Sequence, residues 1–127
     1  MTTNLADNIE ITVTTQFIAD HPVSAEEKFA FAYFITIKNN NDQPLQLLNR
    51  YWLITDGNGK ITEVQGAGVI GQQPLIQPNA GFKYNSGAIL DTPVGSMQGH
   101  YEFKTPEGTL FNVPIPVFSL RVPNLVN

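Results

Sequence analysis

The sequence predicts an all-β fold, and three observations support this prediction. Valine, isoleucine, threonine and the aromatic residues, which favour strands, account for 44 of the 127 residues. Apolar and polar side chains alternate with a period of two in several segments, as expected for strands that are buried on one face. Ten glycines and nine prolines separate these segments, and many of them lie in recognisable turn sequences.

The first two strands are predicted at residues 8–18 and 28–38. In the first strand, apolar residues alternate with polar ones from Ile9 to Thr14. One face of the second strand carries only large side chains, and we expect this face to lie in the core. It consists of Phe29, Phe31, Tyr33, Ile35 and Ile37. A loop is predicted over residues 24–27, with a single helical turn as the alternative.

The third strand, residues 45–56, is apolar on both faces, so the sequence leaves open which face is buried. We prefer the orientation in which Trp52 and Ile54 face the core, because the opposite orientation would bury Asn49. A tryptophan packed between two sheets is also common in sandwiches of this size.

Turn sequences delimit the other strands, which are expected at 60–65, 80–87, 97–104 and 109–122. Asp56-Gly57-Asn58-Gly59 predicts a tight hairpin, because asparagine and glycine tolerate positive φ. Two Thr-Pro-x-Gly sequences place proline and glycine at favoured positions of further turns. Pro114 and Pro116 remove two N–H groups on one side of the last strand, so we expect it at a sheet edge or switching sheets.

About seven short antiparallel strands in two sheets are typical of an immunoglobulin-like or fibronectin type III-like β-sandwich. We expect a single domain over residues 1–127, with residues 1–7 as a flexible N-terminal tail. A chain of this length buries roughly two thirds of its unfolded surface, so it can form a core without a metal or a disulfide.

Composition and charge exclude several classes of function. The formal net charge is −4 and the seven basic residues are scattered, so we expect no binding to nucleic acid. The absence of cysteine excludes disulfides, thiolate zinc sites and cysteine nucleophiles. Neither a signal peptide nor a membrane-spanning segment is recognisable, so we expect a cytoplasmic protein that does not engage membranes.

The segment Gly66-Ala67-Gly68-Val69-Ile70-Gly71 matches the phosphate-binding pattern G-x-G-x-x-G. That pattern binds pyrophosphate at the N-terminus of a helix, and here Pro74 and Pro78 prevent a helix from following. No basic residue lies between Lys60 and Lys83. We therefore interpret the glycines as letting a long loop bend over the end of the sandwich, with binding of a small ligand, either a divalent metal or a phosphate or nucleotide, as the alternative.

Candidate catalytic and metal-binding residues are few. His21 lies near Asp20 and Glu26, but their spacing matches no known set of ligands, and His100 falls on the polar face of its strand. Ser86 lacks the preceding glycine of a nucleophile elbow. We predict no catalytic residue, no metal site and no cofactor, and we expect that the protein is not an enzyme.

The longest connection, residues 66–77, carries apolar side chains that either pack over the sandwich end or contact a partner. Leu75 and Ile76 fit both roles equally well. Val69 and Ile70 are better candidates for contact, because adjacent side chains on an extended loop do not both point inward. We predict a non-enzymatic module that binds another protein. The expected ligand or partner loop comprises Gly66, Gly68, Val69, Ile70 and Gly71.

Three long segments resemble the bacterial ApaG domain family. They are residues 50–59, 63–76 and 84–101, which read RYWLITDGNG, EVQGAGVIGQQPLI and YNSGAILDTPVGSMQGHY. The resemblance spans essentially the whole chain. Residues 78–80 depart from the family, which more often has proline, glycine and an acidic residue at that point.

The resemblance implies a fibronectin type III-like sandwich and a protein-interaction module. It associates the chain with cobalt and magnesium efflux and, through gene neighbourhood, with diadenosine polyphosphate hydrolysis. It implies no catalytic residues, and the glycine pattern of the family falls on Gly66, Gly68 and Gly71.

Overall fold

The computed structural model describes residues 4–124, which form eight strands and two 3₁₀ turns. The 3₁₀ turns span Leu5–Asn8 and Pro22–Glu26. The strands are β1 (Ile9–Ile18), β2 (Phe29–Asn39), β3 (Leu45–Asp56), β4 (Ile61–Ala67), β5 (Leu75–Ile76), β6 (Gly81–Leu90), β7 (Val94–Lys104) and β8 (Leu110–Arg121). No helix among residues 4–124 has the length and apolar character needed to cross a membrane.

The strands form two antiparallel sheets that pack face to face, so the predicted two-sheet β-sandwich is confirmed. One sheet has the order β1-β2-β6, and the other has the order β4-β3-β7-β8. The two-residue strand β5 pairs with the start of β3 and adds an eighth strand to the seven that the turn sequences delimit. Strands β1 and β8 lie side by side at one edge of the sandwich. At the opposite edge, Lys60 and Asp91 form an ion pair of 3.4 Å.

The core lies between the sheets and contains the side chains that the alternation predicts. Phe31, Tyr33 and Ile35 of β2 are buried, as are Tyr101 and Phe103 of β7. The burial follows from the period of two, because both strands run straight through their sheets with one apolar face. The polar face of β7 lies on the outer surface, where its side chains are partly covered by their neighbours.

A β-bulge in β3 changes which alternate residues of the strand face the core. The pairing of β3 with β7 shifts register between Leu47 and Asn49, so Leu48 is an extra residue. Before the bulge Leu47 faces the core, and after it Trp52 does, with 2 % of its surface exposed. The preferred orientation of Trp52 and Ile54 is therefore confirmed, although Ile54 is only partly buried against the core.

Strand β8 is the edge strand that its prolines predict. It lies at the end of the order β4-β3-β7-β8, and Pro114 and Pro116 fall within it. Its pairing with β7 also shifts register, since Met97 pairs with Phe118 and Gly99 with Ile115. A bulge and two missing donors on one edge hinder pairing with a second chain.

The N-terminal segment was expected to be a flexible tail over residues 1–7. Residues 1–3 lie outside the described residues, and Leu5 begins the first 3₁₀ turn. The backbone carbonyl of Leu5 accepts a hydrogen bond of 3.0 Å from the Asn41 side chain. The second 3₁₀ turn lies where a loop was preferred, and its last residue is Glu26.

Candidate functional site

Residues 66–73, here called the glycine hairpin, continue from the end of β4 and fold back on themselves. The backbone N–H of Val69 donates to the Gln72 carbonyl at 2.8 Å, and the N–H of Gln72 donates to the Val69 carbonyl at 3.0 Å. The two residues at the tip both have positive φ, +49° at Ile70 and +70° at Gly71. These are the signs of φ that a type I′ hairpin turn requires.

The bulge in β3 anchors the glycine hairpin. Leu48, the extra residue, has a carbonyl that accepts from the backbone N–H of Gly68 at 2.7 Å and from Gln73 Nε2 at 2.9 Å. Arg50 adds two further bonds, from Nη1 to the carbonyls of Ala67 at 3.2 Å and Gly68 at 3.0 Å. The hairpin is thus fixed to the sheet on both of its arms.

Two of the glycines are needed for this packing. A Cβ at Gly68, where φ is +64°, would overlap the Gln72 carbonyl oxygen. A Cβ at Gly66 would lie 2.9 Å from Arg50 Nη1, which crosses over this residue to reach the hairpin carbonyls. The glycines therefore permit close backbone approach, but the segment that they bend is a tight hairpin rather than the long loop that the sequence predicts.

The adjacent apolar side chains of the hairpin point in opposite directions. Ile70 is 58 % exposed, whereas Val69 is fully buried in the core. The prediction that Val69 is a contact residue is wrong, because a side chain that fills the core is not available to a partner. Leu75 and Ile76 divide in the same way, with Leu75 exposed and Ile76 buried.

The glycine pattern does not create a phosphate cradle of the usual kind. In such a cradle, backbone N–H groups at the start of a helix point at the ligand. Here the N–H groups of Gly68 and Val69 donate to protein carbonyls, and the segment that follows is the second arm of a hairpin. This geometry agrees with the reading of the prolines at positions 74 and 78.

A groove of about 620 Å³ lies on the outer face of the larger, five-stranded sheet, next to the glycine hairpin. The pairing of β3 with β7 brings its central residues together, because Tyr51 lies opposite His100 and Asn49 lies opposite Glu102. Most of its lining side chains are polar or aromatic. The lining residues are Asn49, Arg50, Tyr51, Gln65, Gly66, Ala67, His100, Glu102 and Asn112.

Two side-chain pairs shape this groove. The Tyr51 and His100 rings stack with centroids 5.2 Å apart and planes inclined by 24°. Asn49 Nδ2 donates a hydrogen bond of 2.6 Å to Glu102 Oε1. Loss of hydration raises the pKa of the Tyr51 phenol, and the negative charge of Glu63 and a hydrogen bond to it raise that pKa further.

On the inner face of the same sheet, two tyrosines hold the sheets together. The Tyr84 and Tyr101 hydroxyls hydrogen-bond to each other across the core. Burial raises the pKa of both phenols well above the ordinary value. One hydroxyl donates to the other, and with both pKa values raised the pair is neutral and structural at physiological pH.

The other candidate residues have local roles. His21 Nδ1 accepts a hydrogen bond of 3.1 Å from the backbone N–H of Val23 and so caps the second 3₁₀ turn. Ser86 is exposed in β6. Within residues 4–124, no three side chains of the metal-binding types lie close enough together to hold a metal ion.

Sequence reasoning missed the groove. The alternation of β7 does place His100 and Glu102 together on its polar face. The two β3 residues beside them depend on the bulge at Leu48, which fixes the register only when β3 meets β7. The sequence carries one signal of that bulge, because the core-facing residues of β3 change from odd positions at Leu47 to even positions at Trp52.

Comparisons with known proteins agree on one family. The ApaG domain family matches residues 19–105 of this chain. The Protein ApaG of Edwardsiella ictaluri (strain 93-146) is 51 % identical over 122 residues, which cover 96 % of this chain and 98 % of that protein.

Two solved structures share the fold. An X-ray structure of a Northeast Structural Genomics Consortium target has a TM-score of 0.91 and 44 % identity, and the match covers 97 % of this chain and 93 % of that one. The putative ApaA protein from Bordetella pertussis has a TM-score of 0.87 and 38 % identity, with 92 % and 95 % covered.

Proposed function

The chain belongs to the ApaG domain family, and we propose that this protein is a non-enzymatic module that recognises another protein through its glycine hairpin. The observation that carries the proposal is the tip of that hairpin. A large aliphatic side chain, Ile70, is 58 % exposed there on a backbone with φ of +49°.

This backbone conformation is unfavourable for isoleucine. A β-branched side chain in the left-handed region is a genuine outlier and costs about 1–3 kcal/mol. Asparagine or glycine would occupy the same turn position at little cost. Because 58 % of the Ile70 surface is exposed to water, the side chain has little packing to offset this strain. Contact with a partner would bury its methyl groups and supply the missing stabilisation.

The hairpin is also held in one conformation before any partner arrives. Val69 fills the core beneath the tip, and the Leu48 carbonyl and the Arg50 guanidinium bind the two arms. A preformed loop loses little conformational entropy on binding, which favours affinity. The proposed contact is therefore a single aliphatic anchor on a rigid support.

The test compares two isoleucines of equal exposure. Ile61 is 58 % exposed, as is Ile70. It is the first residue of β4 and lies at the end of that strand far from the glycine hairpin. Affinity capture from cells of the source organism would use the wild type, Ile70→Asp and the matched control Ile61→Asp. We expect one protein to be retained by the wild type and by Ile61→Asp, and to be lost with Ile70→Asp.

Two outcomes would contradict the proposal. The first is a partner that binds all three proteins equally, which would move the interface away from the hairpin. The second is a reproducibly empty capture with the wild type, which would remove the reason to prefer a protein over a small ligand. The thermal unfolding midpoint of each variant shows that the comparison is made between folded proteins.

We further propose that the module acts in the cytoplasm, where a chain without cysteine needs no oxidising compartment. Any link with cobalt and magnesium efflux then runs through the protein partner. Calorimetry with Co²⁺ tests this point. Saturable binding that disappears with His21→Ala or His100→Ala would instead make the link direct.

A further inference from the structure

We propose that the groove on the outer face of the five-stranded sheet receives an arginine side chain of the protein partner, an inference that rests on the proposed function. The groove and the glycine hairpin form one continuous surface, since Gly66 and Ala67 line the groove and lead directly into the hairpin. A partner that covers Ile70 therefore also covers the groove.

The charge of Glu102 favours a cation in the groove. Glu102 is partly buried as a residue, and its carboxylate accepts an exposed hydrogen bond from Asn49, which is a neutral amide. Within residues 4–124, one ion pair with an N–O distance below 4 Å is present, and it joins Lys60 to Asp91. Lys104, two residues along β7 from Glu102, therefore does not form an ion pair with the Glu102 carboxylate. A carboxylate without a basic partner gains a charge-assisted hydrogen bond when a cation binds.

Arg50 also lines the groove, but its charge is directed elsewhere. Arg50 shares the inner face of β3 with Trp52, and its Nη1 donates to the carbonyls of Ala67 and Gly68. Its positive charge acts on that inner face, on the buried hydroxyls of Tyr84 and Tyr101. The negative charge of Glu63, which raises the pKa of the Tyr51 phenol, adds negative potential beside the groove. The region around Glu102 thus remains open to a positive ligand.

The groove suits a guanidinium better than an ammonium. A guanidinium has five N–H donors in one plane and stacks on aromatic rings, whereas an ammonium is a compact point charge. The lining offers the carboxylate of Glu102 and the amide oxygens of Gln65 and Asn112 as acceptors. The stacked rings of Tyr51 and His100 provide the aromatic surface.

A side chain delivered by a protein fits this groove better than a free small molecule does. The groove is open to solvent and cannot enclose most of a ligand's surface, as small-molecule sites do. A partner already held at Ile70 presents its arginine at high effective concentration. The formal net charge of −4 also favours approach by a basic partner.

The test is an NMR titration of the full chain with N-acetyl-arginine methylamide. We expect saturable shifts centred on Gln65, His100 and Glu102. The citrulline analogue, which has the same shape without the charge, should bind about tenfold more weakly. The substitution Glu102→Gln should weaken arginine binding by a similar factor. Glu107→Gln, at an exposed carboxylate in the β7–β8 turn, should leave it unchanged.

Several results would overturn the inference. They are the absence of saturable shifts, equal binding of the citrulline analogue, or arginine binding that is unaffected by Glu102→Gln. Backbone spectra of both variants establish that they are folded. Ile70→Asp should leave the arginine titration unchanged, so a failure of the groove and a failure of the hairpin are distinguishable.

Discussion

The two turns at either end of β4 both reverse the chain, but they differ in how well their residues suit the turn. At residues 56–60, Asp56 Oδ1 accepts from the N–H groups of Asn58 at 2.8 Å and Lys60 at 2.9 Å, and Gly59 takes the positive φ of +81°. Each residue there prefers the conformation it adopts. The glycine hairpin instead places Ile70 at a φ of +49°.

This difference distinguishes a turn that serves the fold from a turn that carries a binding residue. A turn that only reverses the chain can be built entirely from residues that favour it, as the Asp56 turn is. A turn that keeps a strained, exposed side chain is consistent with a constraint other than stability. The predictions that follow alter one turn or the other, in order of decreasing effect on the free energy of unfolding.

The largest effect is expected inside the glycine hairpin, at its buried residue. Val69→Asp places an unpaired charge in the core and should destabilise the protein by about 3–5 kcal/mol. The same substitution at Ile70 should change stability by less than about 1 kcal/mol, because that side chain faces solvent. Urea denaturation measures both. Similar midpoints for the two variants would show that Val69 does not fill the core.

The next effect compares one glycine from each turn. Gly68→Ala should cost about 2–4 kcal/mol, because the new methyl group overlaps the Gln72 carbonyl and the residue has positive φ. Gly59→Ala has positive φ but open space around it, and should cost about 1–2 kcal/mol. Thermal unfolding of both variants gives the difference. An equal cost would mean that the hairpin opens easily.

A smaller effect is expected at the side chain that stabilises the first turn. Asp56→Ala removes the acceptor of two backbone N–H groups and should cost about 1 kcal/mol. Asp56→Asn keeps an acceptor oxygen in the same place and serves as the control. If the asparagine variant loses as much stability as the alanine variant, the carboxylate charge rather than the turn geometry is responsible.

Much of the fold follows from local sequence, and the reason is visible in particular strands. The alternation in β2 specifies its buried face without reference to any other strand, and the prolines of β8 exclude it from the interior of a sheet. The two bulges do not follow in this way. An extra residue such as Leu48 becomes apparent only when β3 is set against β7, which is a contact between distant parts of the chain.

The candidate site, too, has features that follow from local sequence and features that depend on distant contacts. The glycine pattern indicates a bent segment but not a hairpin, and the sequence predicts contact for both Val69 and Ile70, of which only Ile70 is exposed. Which of the two is buried depends on the anchoring of the hairpin by Leu48 and Arg50, which are distant in sequence. The groove depends on the same register, so no segment of the chain reveals it alone.

The last effect is as small as that of Asp56→Ala but bears most directly on the comparison, because it is a gain in stability. Ile70→Asn gives the hairpin tip the residue that its backbone favours, and should stabilise the protein by about 1 kcal/mol. For a domain of this size, that raises the unfolding midpoint by about 4 °C. Ile61→Asn, at an equally exposed strand position, should instead destabilise it slightly, since asparagine is unfavourable in strands.

Scanning calorimetry on the wild type and these two variants measures whether each substitution raises or lowers the unfolding midpoint. If Ile70→Asn is more stable and no longer captures the partner, the isoleucine is kept for recognition at a cost in stability. If it is less stable than the wild type, the side chain of Ile70 has packing that offsets its strain, and the two turns no longer differ in kind.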